Sequence, residues 1–274
     1  FDSKKGRVQV FRFEGEGDSA RWRQMGEDLV GFAAGDEIGQ SISLSADGTV
    51  LAVGTSYTNT QEGSATVYRF TESEGWTPVG NALTGRDHNA CGMGDPVKLS
   101  ADGTRVAVWS SMPREGSSTR CIDWVESATS NGEDLGQVRV YELASSTEDG
   151  DYGWVQVSPD FLGDEGGLSF GWALGLSGDG KTVTIGAAGG KRNGVDSGYV
   201  VTYHENPDGN WTRVGKDING TASAYWAGDA VAISYNGTVM AVGSPLDFLL
   251  PASRYDSRPQ DTSGVASVYH HCLL

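Results

Sequence analysis

Long apolar runs are missing from this chain. No stretch approaches the roughly 20 residues that a membrane-crossing helix needs, so membrane insertion is not expected. Basic residues are scarce as well: 20 Lys and Arg stand against 36 Asp and Glu, a formal net charge of −16 over 274 residues. A surface this acidic is repelled by phosphate backbones, which argues against nucleic-acid binding. Cysteines number only three. No apolar stripe at helical spacing competes for any long segment. The signatures of catalysis and cofactor binding are absent too: there is no His-Glu-x-x-His, no phosphate loop, no Gly-x-Ser-x-Gly and no paired Cys-x-x-Cys. No cofactor and no enzymatic activity are therefore expected.

Glycine, by contrast, is abundant. Its 40 residues are about twice the usual share, without the G-X-Y period of collagen. Eight Trp, ten Tyr and eight Phe argue against disorder.

Repeats organise the chain. A Gly-x-Val/Ala-x-Val/Thr-aromatic segment begins at Gly6, Gly63, Gly136, Gly198 and Gly264. After four of these comes a Trp segment, from Trp22 to Gly31, Trp76 to Gly85, Trp154 to Gly163 and Trp211 to Gly220, with constant spacing. A third element is a hairpin centred on Asp47-Gly48, Asp102-Gly103, Asp179-Gly180 or Asn236-Gly237. Alternation in these segments has period two, and Val, Tyr, Trp and Thr are strand formers. Asp-Gly and Asn-Gly between apolar runs predict two-residue type I′ turns. Four strands per module follow: A ends at the turn, B leaves it, C starts at the module glycine, and D carries the Trp.

A four-stranded unit repeating at this period predicts an all-β chain built as a β-propeller of four-stranded blades. Small residues in A and B, such as Gly39, Ser41, Ala107, Gly171 and Ala230, suit strands crowded near a central axis. One domain over 1–274 is expected, with modules at about 6–62, 63–135, 136–197 and 198–263 and a final strand at 264–271. That gives about four to five blades.

The pattern resembles the FG-GAP-type repeat of integrin α-subunit propellers and many secreted propellers. Phe170-Gly171 stands where that family has FG, and Gly186-Ala187-Ala188 and Gly243-Ser244-Pro245 stand where it has GAP. Module one keeps Ile38-Gly39 and Gly54-Thr55, while module two keeps Met93-Gly94 and has Trp109 in place of the second glycine. The resemblance implies a propeller with an extracellular binding or scaffolding role; it implies no particular ligand. Many members carry a calcium loop between A and B. Calcium takes six to eight oxygens, whereas each link here has a single Asp or Asn, so Asp47, Asp102 and Asp179 read as turn formers and no metal is expected.

Strand C occurs once more than A, B or D. Three arrangements fit that count: part of a larger propeller, a small ring whose last blade is completed by the first Trp strand, or strand edges shared with another copy.

Cys91 and Cys121 lie in connections that leave the same face of one module, so a Cys91–Cys121 disulfide is expected, stapling the insertion at 110–135. Cys272 is left odd, which points to an intermolecular partner. Asn210-Trp-Thr, Asn219-Gly-Thr and Asn236-Gly-Thr are glycosylation sequons in predicted turns. The combined expectation is a secreted or cell-surface, non-enzymatic structural or adhesion protein. Its expected partners are other protein subunits or copies of itself, and it would carry N-linked glycans. The alternative is a glycan-binding or glycan-hydrolysing propeller whose rim carboxylates, Asp36-Glu37, Asp87 and Asp164-Glu165, flank a sugar bond.

Overall fold

The computed structural model describes residues 4–55, 63–84, 93–112, 135–145, 152–163, 170–223, 225–245 and 265–270. Among these the chain is all-β, with one short 3-10 turn at Gly17–Ser19. It forms the blades of a β-propeller, stacked in chain order.

Three blades are complete. Blade 1 runs through Ser41–Leu44, Val50–Thr55, Ser64–Thr71 and Gly75–Pro78, with Leu83–Thr84 also on the third strand. Blade 2 uses Val97–Leu99, Arg105–Met112, Leu135–Ser145, Tyr152–Gln156 and Phe161–Leu162. Blade 3 uses Phe170–Leu176, Thr182–Ala187, Tyr199–Glu205, Trp211–Arg213 and Ile218–Asn219. All pairing within them is antiparallel. The outer D strand is therefore two short pieces rather than one. In blade 2 the break carries Ser158, whose hydroxyl accepts from the Val140 amide across the gap at 2.8 Å.

Two partial blades flank these. Blade 4 has A, B and C, at Ala230–Ile233, Val239–Ser244 and Val265–His270. Among the described residues the N-terminal half-blade has C and D: Phe11–Glu14 pairs Arg21–Gln24, and Arg7–Val8 pairs Leu29–Val30. The first Trp strand therefore completes its own C strand and not blade 4. Ring closure by that strand, one of the three arrangements above, is not what forms.

The hairpin tips also correct the expectation. Gly48, Gly103, Gly180 and Gly237 all take φ near +70°, but the Asp or Asn before each does not. Gly48 N donates to Ser45 O at 3.0 Å and Ser45 N to Val50 O at 2.9 Å. Each tip is thus a longer loop built on a type I turn with glycine in the left-handed region. Its centre is a repeated side-chain lock. Ser45 Oγ donates to Asp47 Oδ1 (2.7 Å), accepts from Val50 N (2.9 Å), and Asp47 Oδ1 accepts from Thr49 N (2.9 Å). Ser100 and Asp102, Ser177 and Asp179, and Ser234 and Asn236 repeat it.

The wider tip frees a backbone amide to reach the next blade. Ala46 N donates to Ala101 O (2.7 Å), Ala101 N to Gly178 O (2.8 Å), and Gly178 N to Tyr235 O (2.7 Å). These four residues occupy the same place in four tips, so one main-chain ladder ties blades 1 to 4 together.

Between blades the core is apolar. Val8, Val10 and Met25 of the half-blade pack on Leu51 and Val53 of blade 1. Ala65 and Val67 of blade 1 meet Val106, Val108 and Tyr141 of blade 2, and Val138 and Val140 of blade 2 meet Ile185 and Tyr199 of blade 3. Each fully buried large side chain contributes about 1.5–3 kcal/mol. The repeated tryptophan clasps each seam. Its indole N–H donates to a carbonyl three residues past the tryptophan of the preceding unit: Trp76 to Met25 (2.8 Å), Trp154 to Val79 (2.9 Å), Trp211 to Val157 (3.0 Å). Trp109, where the other blades have Gly54, Gly186 and Gly243, fits because Gly171 opposite it has no side chain, and its indole donates to Phe170 O at 2.6 Å.

Candidate interaction surface

The seam chemistry just described is left unfilled at both ends of the stack. Trp22 occupies the same place as Trp76, Trp154 and Trp211, yet it is 67% exposed, against 6% for Trp154. It packs edge-on against Phe13 at 5.4 Å, as Phe70 and Trp76 pack at 5.3 Å, and Phe11 and Phe13 beside it are exposed. The half-blade thus presents a complete aromatic seam face to solvent.

Near the axis the same end exposes Ile42 and Leu44, whose counterparts Val97 and Leu99 in blade 2 are buried. Among the described residues no A or B strand of the half-blade lies over them. At the far end Val268 of blade 4 is 64% exposed, while its counterpart Val67 is buried. Tyr235, at the last rung of the tip ladder, is exposed too, and its N–H has no backbone partner among the described residues.

Between half-blade and blade 1 lies an open groove of about 600 Å³. Its lining is mixed in charge, with Arg12, Arg23, Glu14, Glu27, Asp28 and Glu72 among the side chains. Most of these are already matched. Arg12 pairs with Glu72 at 3.4 Å and lies over the Phe70 ring at 6.0 Å, and Arg23 pairs with Glu14 at 3.6 Å. Hydrogen bonds from Gln9 (2.9 Å) and Gln24 (2.7 Å) hold the Asp28 carboxyl below its ordinary range. The groove offers no unmatched charge cluster for a small ionic ligand.

The expected site residues fall in different places. Asn210 is an exposed turn residue whose amide donates to Asp208 at 2.9 Å. Asn219 is exposed on the outer strand of blade 3. Asn236 is the turn lock of blade 4, accepting from Ser234 Oγ (2.8 Å) and Thr238 Oγ1 (2.8 Å). Cys91, Cys121 and Cys272 lie outside the described residues, so the disulfide and the intermolecular bond rest on the sequence. So do Asp87 and Asp164-Glu165. Of the rim carboxylates, Asp36 caps the Ala33 amide at 2.8 Å, and Glu37 pairs with Lys4 at 3.2 Å and Gln40 at 2.9 Å. Among the described residues no group of three or more His, Cys, Asp and Glu is placed to hold a metal ion, and no helix is long and apolar enough to cross a membrane.

Sequence reasoning named the seam tryptophans but not the uncovered faces. The signal was the unequal strand count.

No protein-family model and no curated protein matches the chain. Solved β-propeller structures do resemble it. Hydrazine synthase of Kuenenia stuttgartiensis matches at 13% identity and TM-score 0.46, covering 81% of this chain and 58% of that one. The tricorn protease matches at 11% and 0.48, covering 96% and 24%. Sqt1 of Chaetomium thermophilum, solved with the N-terminus of ribosomal protein L10, matches at 11% and 0.41, covering 89% and 65%. The chain therefore spans less than two thirds of each of these structures. Likeness at this level says nothing of activity.

Proposed function

We propose that this chain is a non-enzymatic propeller scaffold that works through protein–protein contact outside the cell, with its uncovered blade faces as the contact surfaces. The observation that carries the reading is Trp22: a seam residue, set against Phe13 as Trp76 is set against Phe70, that faces solvent. Aromatic residues of this kind anchor interfaces when a partner covers them, and exposed apolar faces on soluble proteins mark contact sites. The partner that fits is another propeller blade, supplied by a further copy of this chain. Val268 of one copy then meets Phe11 and Trp22 of the next, as Val67 meets Tyr141 and Trp154 within the chain. Such a head-to-tail contact is heterologous and builds an open array.

The FG-GAP-like reading of the repeats supports an adhesive or structural setting, and the three sequons support an extracellular one. What recurs from blade to blade is packing machinery, in the Ser-Asp locks, tip ladder and Trp clasps, rather than a set of rim side chains. The described rim carboxylates, Asp36 and Glu37, are engaged locally, which lends the glycan-active alternative no support.

Light scattering over a range of concentrations tests the proposal. Concentration-dependent oligomers are expected, with Trp22→Ser returning them to monomers without lowering Tm. A monomer at every concentration, with no cross-linked protein partner recovered from native extracellular material, overturns it.

A further inference from the structure

One seam differs in kind from the others. At the positions where blade 3 buries Tyr199 and Val201, blade 2 places Gln137 and Arg139 on the same face of its C strand. Both are buried between blades 1 and 2, at 0% and 2% exposure. Arg139 is partly satisfied: its Nε donates to Asp160 Oδ1 at 2.7 Å and its Nη2 to Asp160 Oδ2 at 3.4 Å. Asp160 is itself held by Gln156 Nε2 at 2.9 Å, and its side chain is 42% exposed. The network thus starts at solvent and runs inward. Tyr141 also faces the guanidinium, and the network stops at three buried atoms with no hydrogen-bond partner among the described residues: Arg139 Nη1, Gln137 Nε2 and Gln137 Oε1.

Two donors and one acceptor remain open at adjacent positions on one strand face. Buried polar atoms are nearly always satisfied, by protein or by water. The charge here is already balanced by Asp160, so an anion gains little and leaves the Gln137 carbonyl unmatched. A neutral group that both accepts and donates matches the set. Buried water does both, makes about three hydrogen bonds on average, and occurs about once per 27 residues.

We propose that Gln137 and Arg139 form an internal water site in the blade 1–blade 2 seam, with at least one ordered water bridging the Gln137 amide and Arg139 Nη1. The site is fed from the Asp160 side, where the network meets solvent. It adds a polar, hydrated pocket to a seam that is otherwise apolar.

A crystal structure of the whole chain, at a resolution that places waters, tests the proposal. Density within hydrogen-bond distance of Arg139 Nη1 and a Gln137 amide atom supports it. Two other results overturn it: a dry seam, or a Gln137 side chain turned to a protein partner. Thermal melting of Gln137→Leu gives a second readout. A hydrated site predicts a Tm lowered by a few degrees, because the water loses its partner and Arg139 Nη1 is stranded. A raised Tm means that the amide was an unsatisfied burden in a dry seam and overturns the proposal.

Discussion

Replacing Trp154 by Phe measures what a seam clasp contributes. The indole is 6% exposed, lies in the blade 1–blade 2 cluster and donates to the Val79 carbonyl at 2.9 Å. Phenylalanine keeps one ring and loses the other together with the N–H. The lost hydrogen bond is worth about 0.5–1.5 kcal/mol net. Trimming a buried ring leaves a void and costs about a further 1–2 kcal/mol, below the roughly 3–5 kcal/mol of full truncation to Ala. The sum is about 1.5–3.5 kcal/mol. For a chain of this size that is a Tm fall of roughly 3–14 °C. Trp22→Phe is the internal control: the same residue at the same repeat position, 67% exposed, where a change within about 0.5 kcal/mol is expected. Calorimetry or denaturant unfolding of both variants at low protein concentration reads the difference. Equal losses at Trp22 and Trp154 would refute the claim that the seam, rather than the strand, gives the tryptophan its value.

Other outcomes follow from the same geometry. Gly171→Ala should cost more than about 3 kcal/mol or abolish soluble expression, since the residue sits at φ +86° with Trp109 where a Cβ would go. Gly48→Ala, at φ +71° with open space around it, should cost only about 1–2 kcal/mol; chemical denaturation separates the two. The Asp47 carboxyl is lowered by bonds from Ser45 and Thr49. That of Asp102 is lowered although burial pushes it up, because Thr104 and Ser100 bonds outweigh burial. A carboxylate with a depressed folded pKa stabilises fully above its unfolded value and loses that contribution as pH falls through the folded one. Melting temperature should therefore drop below about pH 4, and Asp102→Asn, which copies the natural Asn236 tip, should flatten that drop. Native material should lose mass on glycosidase treatment through at least one of Asn210, Asn219 and Asn236. It should gain about two mass units on reduction if Cys91 and Cys121 are joined. Unmodified asparagines and free thiols would place the protein in a reducing compartment.

The blades were legible in the sequence because their signals are local. Alternation, the tip glycines and the fixed distance from Trp22 to Gly31, or Trp154 to Gly163, need no knowledge of neighbours. The tip geometry was misjudged for a tertiary reason. A two-residue turn satisfies its own strands, but Ala46, Ala101 and Gly178 each spend an amide on the next blade, and no side-chain pattern records a main-chain bond. Gln137 and Arg139 escaped notice for the opposite cause. Polar residues alternating with Val138 and Val140 look like a solvent face, and only the stacking of blade 1 buries them. Trp22 looked like every other clasp, since its sequence context is the same; what differs is that no described blade covers it.

The tip ladder has a consequence for how such a chain grows. Its rungs run from amide to carbonyl, and the residues that carry them are Ala46, Ala101, Gly178 and Tyr235, which share neither size nor polarity. The bonds themselves need no particular side chain, although a large one needs room: the Tyr235 ring lies 2.3 Å from where a Cβ on Gly178 would be. A duplicated gene segment encoding one module would therefore arrive with its joint already compatible with its neighbours on either side. Divergence of loops and rims can follow afterwards, without re-fitting the axis. The insertion in one module is the kind of change that this arrangement leaves open to drift.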